Sequence, residues 1–416
     1  MTIDARVPVS PPSDPSGPSD PADARTRALT LAVVALCTAA ITVEGFDLIV
    51  YGVALPSMLA DASLELDKSL AGTLGSLAYA GMLIGALVCG PLADRLGRRR
   101  LVLASGALFT LFTVACAVAA DPWQFGLFRL LAGIGMGGVM PSCVALSKEY
   151  APRGRSALVA TAVLAGIPVG GVLAALTATA WGAPLGWRGL FGVGAALSAA
   201  VVAAAYFLLP DSRPQAVARD GERTGVRTVL SGAYARGTVL FTVANFAVLL
   251  AWYGLNTWLT QLMREMDYPL GSALRFTLVL NLGAVVGSFV LAAVADRIGP
   301  RLVTAGSAVL AALAVFGLSQ GGGTALILGI TALAGVGAQS ALTMLNDWVA
   351  SSYPASARAT ALGCVSGFGR GGAIVAPLLG GWILQAALGP VTVFYVFAGA
   401  ALVCAVALLA VPVRRG

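Results

Sequence analysis

The chain has 416 residues, 58% of them apolar and only 11% charged, with a mean hydropathy of +0.87. A soluble domain of this length does not read that way, so a water-soluble enzyme or nucleic-acid binder is excluded despite the net charge of +7. No histidine occurs, which removes the usual proton shuttle and the commonest metal ligand and leaves carboxylates to carry any proton chemistry.

Residues 1–28 are rich in Pro, Ser and Asp without a basic segment ahead of a short apolar core, which predicts a disordered cytoplasmic tail and no signal peptide. Helix 1 is predicted over 29–59, and within it lies Glu44-Gly45-Phe46-Asp47. A charge at bilayer depth costs roughly 2.5–3.5 kcal/mol or more, so two carboxylates there require an explanation. Three residues apart on a helix, Glu44 and Asp47 share a face. Mutual repulsion and desolvation make one of such a pair a proton carrier, whereas an ion pair with a basic residue elsewhere is the structural alternative.

An acidic loop from Asp61 to Lys68 precedes helix 2 over 70–90, and the next loop reads Gly90-Pro-Leu-Ala-Asp94-Arg95-Leu-Gly97-Arg98-Arg99-Arg100. Helices 3 and 4 are predicted over 101–120 and 123–146, the latter carrying Arg129 within its apolar span, and helices 5 and 6 over 156–180 and 187–209. A polar segment over 210–236 divides the chain. Helix 7 over 237–263 carries Trp252, Tyr253, Asn256 and Trp258, aromatics with one amide that suit either a ring-binding cavity wall or an interfacial anchor. Helix 8 occupies 276–295. Two longer runs, 302–346 broken at Gly321-Gly322-Gly323 and 371–413 broken at Gly389-Pro390, each hold most of two helices, giving twelve in all.

The second half repeats the first. Tyr51-Gly52 recurs as Tyr253-Gly254, Asp94-Arg95-Leu-Gly97 as Asp296-Arg297-Ile-Gly299, and Leu131-Ala-Gly133-Ile-Gly135 as Leu333-Ala-Gly335-Val-Gly337, always 202 residues on. The organisation is therefore an all-α polytopic membrane protein with twelve transmembrane helices in two six-helix pseudo-repeats. The N-terminal bundle spans 29–209, the central cytoplasmic loop 210–236, the C-terminal bundle 237–411 and a short cytoplasmic tail 412–416. With both termini inside, inner segments carry 20 of the 26 Lys and Arg and outer loops four, namely Lys68, Arg188, Arg264 and Arg275; Arg129 and Arg370 lie in spans. The intramembrane charges are not repeated, because Glu44 and Asp47 align with Phe246 and Leu249, and Arg129 with Thr331.

Two parallel six-helix repeats form the architecture of the major facilitator superfamily. GPLADRLGRRR resembles the signature loop of that superfamily, and AVADRIGPR stands where its second copy belongs. More narrowly, EGFDLIVYGVALP in helix 1, RLLAGIGMGGVMPSCVALSKEYAP in helix 4, YGLNTWLTQLM in helix 7 and GFGRGGAIVAPLLGG in helix 11 are similar to the aromatic acid:proton symporter family. Glu44 stands where that family more often has Asp, which keeps the charge on a longer arm.

The resemblance implies proton-coupled uptake of a small aromatic carboxylate such as benzoate or a hydroxybenzoate by alternating access, with the proton as coupling ion and no other cofactor. It implies proton coupling at Asp47 helped by Glu44, and a gating loop at Asp94, Arg95, Gly97 and Arg98 with a weaker second copy at Asp296 and Arg297. A cationic fork holds a carboxylate well, and Arg129 and Arg370 are the candidates, with Trp252, Tyr253 and Asn256 beside them for the ring. Arg129 pairs alternatively with the helix-1 carboxylates, and Arg370 with Asp347 on helix 10. A proton-coupled exporter is the rival, disfavoured because helix 5 reads Gly166-Ile-Pro168-Val-Gly170-Gly171 in place of the antiporter Gly-Pro-x-x-Gly-Gly. No Walker loop, zinc spacing or nucleophile elbow appears, so neither ATP hydrolysis nor covalent catalysis is expected. The six cysteines lack CxxC spacing and read as free buried residues. The expected setting is the inner membrane of the cell, as a multi-pass monomer.

Overall fold

A computed structural model describes residues 21–152, 156–210 and 229–412. They form α1 (Pro21–Leu59), α2 (Lys68–Leu96), α3 (Arg98–Ala117), α4 (Pro122–Glu149), α5 (Ser156–Leu164) and α6 (Gly166–Leu208) in the first half. The second half holds α7 (Ala235–Glu265), α8 (Leu270–Ile298), α9 (Pro300–Ser319), α10 (Thr324–Ser352), α11 (Ala355–Gln385) and α12 (Pro390–Leu409). There is no strand among the described residues.

Among the described residues, eleven stretches are long and apolar enough to cross a membrane, one of them Leu158–Leu208 with 51 residues. At 1.5 Å per residue that stretch would run about 76 Å, more than twice the roughly 30 Å hydrocarbon layer, so it must cross twice. The turn is at Gly186, whose φ of 60° and ψ of −176° leave the helical region. Residues 166–185 and 187–208 are thus separate spans, and the crossings among the described residues number twelve. A second interruption, which the sequence reading lacks, falls at Ala165 between α5 and α6. Its cause is Pro168, whose ring cannot sit against the carbonyl four residues earlier, that of Leu164.

Helices also extend past their charge-free windows. α1 begins at Pro21 instead of residue 29, since proline is favoured in a first helical turn and the following Ala and Arg residues are good helix formers. α8 and α11 likewise take in terminal charges, which long side chains can carry to the membrane surface.

Helix packing repeats between halves. α1 packs on α6 and α2 on α4, as α7 packs on α11 and α8 on α10. The loop arginines repeat as well: Arg99 donates to the Tyr206 carbonyl at 2.7 Å, and Arg301, 202 positions on, to that of Leu409 at 2.9 Å. The halves meet through α2 with α11, residues 166–185 with α8, and α1 with α7. These contacts are tight on the side of the 59–68 loop. A Cβ at Gly52 would strike the Asn256 carbonyl, and one at Gly72 would approach the Pro377 carbonyl to 2.5 Å, so backbone meets backbone there. Lys68 completes this closure by an ion pair with Glu265 of the opposite half at 2.7 Å.

Candidate functional site

Between the halves lies a cavity of about 820 Å³, counted with its opening. Its lining follows helical periodicity. Asn245, Leu249 and Tyr253 are one face of α7; Gln339, Thr343 and Asn346 are one face of α10; Ser366, Arg370 and Ala373 are one face of α11. The first half contributes Tyr79 and Met82 from α2, Met140 from α4, and Leu164 and Ile167 from the helix break at Ala165. The second half's wall therefore mixes amide, hydroxyl and guanidinium groups with Leu249, Leu342 and Ala373, whereas the first half's is apolar except for a phenol.

Tyr79 and Tyr253 meet across the halves with ring centroids 4.7 Å apart and planes inclined at 52°, an aromatic pair within the lining. Arg370 is the one charged residue that lines the cavity among the described residues. Its NH1 donates to the Met82 carbonyl at 3.2 Å, which fixes the guanidinium between the halves while a five-donor fork keeps most of its donors for a ligand.

The helix-1 carboxylates have different surroundings. Asp47 pairs with Arg129 through one carboxylate oxygen and accepts from the Thr113 hydroxyl at 3.1 Å through the other, and Asp47 and Arg129 are each 1% exposed. Arg129 also lies over Tyr51 at 5.6 Å and Phe191 at 5.7 Å, cation–π contacts beside the ion pair, while its Nε is buried without a hydrogen-bond partner. Glu44 is wholly buried, and neither of its carboxylate oxygens has a hydrogen-bond partner. The charges that act on it are Arg370 of the opposite half and Asp47 one turn away.

Several predicted placements change. Arg129 does not line the cavity, because Asp47 occupies it inside the first half. Of the three helix-7 residues, Tyr253 alone reaches the lining. Trp252 and Asn256 lie on a neighbouring stripe of α7 and are buried in its packing; Asn256 donates to the Trp252 carbonyl at 3.0 Å and accepts from Asn281 at 2.9 Å. Asp347 is an exposed residue next to the α10 face, outside the cavity lining, and no ion pair joins it to Arg370 among the described residues.

In the signature loop, the Asp94 side chain lies outside the described residues. Arg95 is exposed at the end of α2, and Gly97 turns the chain into α3 with a φ of 84°. Arg98 pairs with Glu149 of its own half, so this contact joins α3 to the end of α4 and does not bridge the halves. Asp296 and Arg297 are exposed at the end of α8.

Tyr79, Asn245, Gln339, Thr343 and Asn346 were absent from the sequence reading. A signal for the α10 group existed, since polar residues at positions i, i+4 and i+7 of an otherwise apolar span mark a cavity face. Tyr79 gave none, because an aromatic in a membrane helix fits lipid, an interface or a cavity equally well.

A cavity held between two six-helix repeats, polar on one side and closed by backbone contacts at one end, defines an alternating-access membrane carrier. The family model of the Major Facilitator Superfamily matches residues 37–319 and 276–416, and the chain belongs to that superfamily. It is 39% identical over 380 residues to a gentisate transporter of Corynebacterium glutamicum, covering 88% of this chain and 84% of that protein. It is 31% identical to a benzoate transport protein of Acinetobacter baylyi, covering 88% and 89%. Among solved structures, the nucleoside transporter NupG superposes with a TM-score of 0.77 at 17% identity, over 92% of this chain and 99% of that one, which is a likeness of fold. Transporters of this superfamily are not enzymes, in keeping with the lack of catalytic motifs.

Proposed function

We propose that the chain takes up a small aromatic monocarboxylate, such as benzoate or a hydroxybenzoate, together with a proton across the inner membrane, with both termini in the cytoplasm. The observation that carries this reading is Arg370, a cation in the cavity lining near the Tyr79–Tyr253 pair. A planar fork suits a carboxylate and flat rings suit an aromatic body. Relatives named for gentisate and benzoate support the substrate class. The 20 to 4 division of basic residues supports the orientation, which places the closed 59–68 side outside.

Coupling follows from the two carboxylates. Asp47 is committed to Arg129, so its proposed task is to hold that cation. Glu44 has no partner and faces the field of Arg370, so it is the proposed proton carrier. An anion moving against an inside-negative potential is opposed by about 2.3 kcal/mol per 100 mV, and a proton that travels with it removes this penalty.

The experiment is uptake of labelled benzoate and hydroxybenzoates into proteoliposomes under an imposed pH gradient, acidic outside, with the wild type and Glu44→Gln. Wild type concentrates label, and Glu44→Gln exchanges label without concentrating it. Absence of exchange with every aromatic acid would overturn the substrate class, and accumulation by Glu44→Gln would overturn its role.

A further inference from the structure

Along α7, Tyr253 lines the cavity and Glu265 pairs with Lys68 at the closed end, and Asn256 and Thr260 stand between them. Each is bonded to a residue of α8. The Asn281 amide donates to the Asn256 Oδ1 at 2.9 Å, and the Thr260 and Thr277 hydroxyls meet at 2.9 Å. These four side chains form a polar layer that is buried throughout. The two pairs differ in one respect. The threonine hydroxyls bond to one another, whereas the asparagine pair leaves an atom over. The second amide proton of Asn281 goes to the Thr277 carbonyl at 3.0 Å, and its Oδ1 is buried without any partner.

What faces that oxygen belongs to the opposite half. A Cβ built on Gly171 of α6 would strike the Asn281 Oδ1 and the Ile49 side chain of α1. A gap too narrow for a methyl carbon holds no water, and a glycine Cα offers only a weak C–H donor. The first half therefore strips this oxygen of water while the 59–68 side is closed. Parting of the halves there lets water reach it. A buried acceptor left unpaired shifts an equilibrium by about fivefold to a hundredfold.

We infer that the Asn256–Asn281 pair keeps the carrier from resting too deeply in the arrangement closed on the 59–68 side, because the Asn281 oxygen is desolvated against Gly171 in that arrangement alone. The device acts on the alternation between the two arrangements, independently of which substrate is carried. Replacing one asparagine would orphan a polar atom of the other, so the pair is the unit to remove. With leucine at both positions no unpaired atom is left, and the backbone carbonyls that the amides met keep their helix bonds.

The test is the rate at which an impermeant thiol reagent labels purified protein carrying Thr257→Cys, with the rate of the same protein lacking that cysteine subtracted. Thr257 is buried at the same interface, where its side chain meets Tyr79 of the first half. At dilute reagent the rate follows the population opened on the 59–68 side. Asn256→Leu with Asn281→Leu should slow labelling about fivefold or more. Thr260→Val with Thr277→Val removes as much polarity from the same layer but no unpaired atom, and should stay within twofold. Gly171→Ala, whose methyl meets the Asn281 oxygen, should speed labelling several-fold, and adding Asn281→Ala should return it towards the starting rate.

Equal slowing by the asparagine and threonine pairs would assign the effect to polarity in general and overturn the inference. So would faster labelling of the double leucine variant, which marks a pair needed only for folding. A rate unmoved by Gly171→Ala removes the contact on which the device depends.

Discussion

The substitution Asp47→Asn should damage the protein before it damages coupling. In the structure Asp47 and Arg129 are each 1% exposed and paired with one another, so the amide leaves a buried guanidinium without its counter-charge. Breaking a buried ion pair on one side costs about 3–5 kcal/mol. Part of the shell survives: the Asp47 backbone carbonyl still accepts from Arg129 at 3.3 Å, and the Tyr51 and Phe191 rings remain. These remaining contacts place the expected loss at the lower end, about 3 kcal/mol, or roughly two powers of ten in the folding equilibrium. The assay is thermal melting of purified wild type, Asp47→Asn, Arg129→Gln and the double variant, treated as a double-mutant cycle. Each single substitution should melt far below wild type, and the double variant should lie above the sum of the two losses. A coupling within about 0.5 kcal/mol, or an Asp47→Asn protein that melts with the wild type, would refute the pairing as the reason for this carboxylate.

Charge reversal at the 59–68 closure tests a second contact. Lys68→Glu places two carboxylates where Lys68 meets Glu265 at 2.7 Å, so the closed arrangement weakens and a cysteine at Thr257, buried beside Gly52, reacts faster with an impermeant thiol reagent. The pair is partly exposed and worth no more than about 1 kcal/mol, which bounds the loss from Lys68→Ala to roughly fivefold in population. The swap Lys68→Glu with Glu265→Lys should restore slow labelling; equal rates in all variants would remove the contact as a gate. Asp61 gives the pH prediction. Its carboxylate accepts from the Ser63 hydroxyl and amide, from Trp187 and from Arg188, and the Ser63 bonds foremost hold it well below the usual carboxylate range. A lowered folded value contributes stability above the ordinary carboxyl pKa of about 3.9, and this stability is lost only as pH falls through the lowered value. Asp61→Asn should therefore lower the melting temperature by the same amount at pH 7.5 and pH 5, and a penalty that vanished at pH 5 would contradict the assignment.

The large features were legible because they are repetitive. Apolar runs fix the spans, and a repeat offset of 202 fixes two halves, down to Arg99 and Arg301 making the same bond at the end of each half. Rarity at membrane depth singled out Glu44, Asp47, Arg129 and Arg370 in the sequence, and of these Arg370 alone lines the cavity among the described residues. What failed was the choice of face. Trp252 and Asn256 share one stripe of α7, and Tyr253 shares another with Asn245 and Leu249; only the positions of neighbouring helices decide which stripe meets the cavity. The break at Ala165 was legible in principle, since Pro168 removes a helix bond one turn earlier, yet its effect of bringing Leu164 and Ile167 to the cavity depends on tertiary packing.

Duplication gave the two halves one scaffold and left their chemistry unequal. The buried acids stand on α1, whereas the equivalent stripe of α7 carries Phe246 and Leu249; the cavity cation stands on α11, whereas the corresponding stretch beyond α5 carries Ile167 and Pro168. Under the proposed coupling, this division makes Arg370 a shared partner. Glu44 in its charged form and the carboxylate of a bound acid would both draw on one guanidinium, and among the described residues no other unpaired cation is at the cavity, because Arg129 is occupied by Asp47. A proton on Glu44 removes the rival and lets the substrate have Arg370 alone. Since the two groups belong to opposite halves, the proposed coupling has this competition settled at the interface between them, and it implies one proton per monovalent acid.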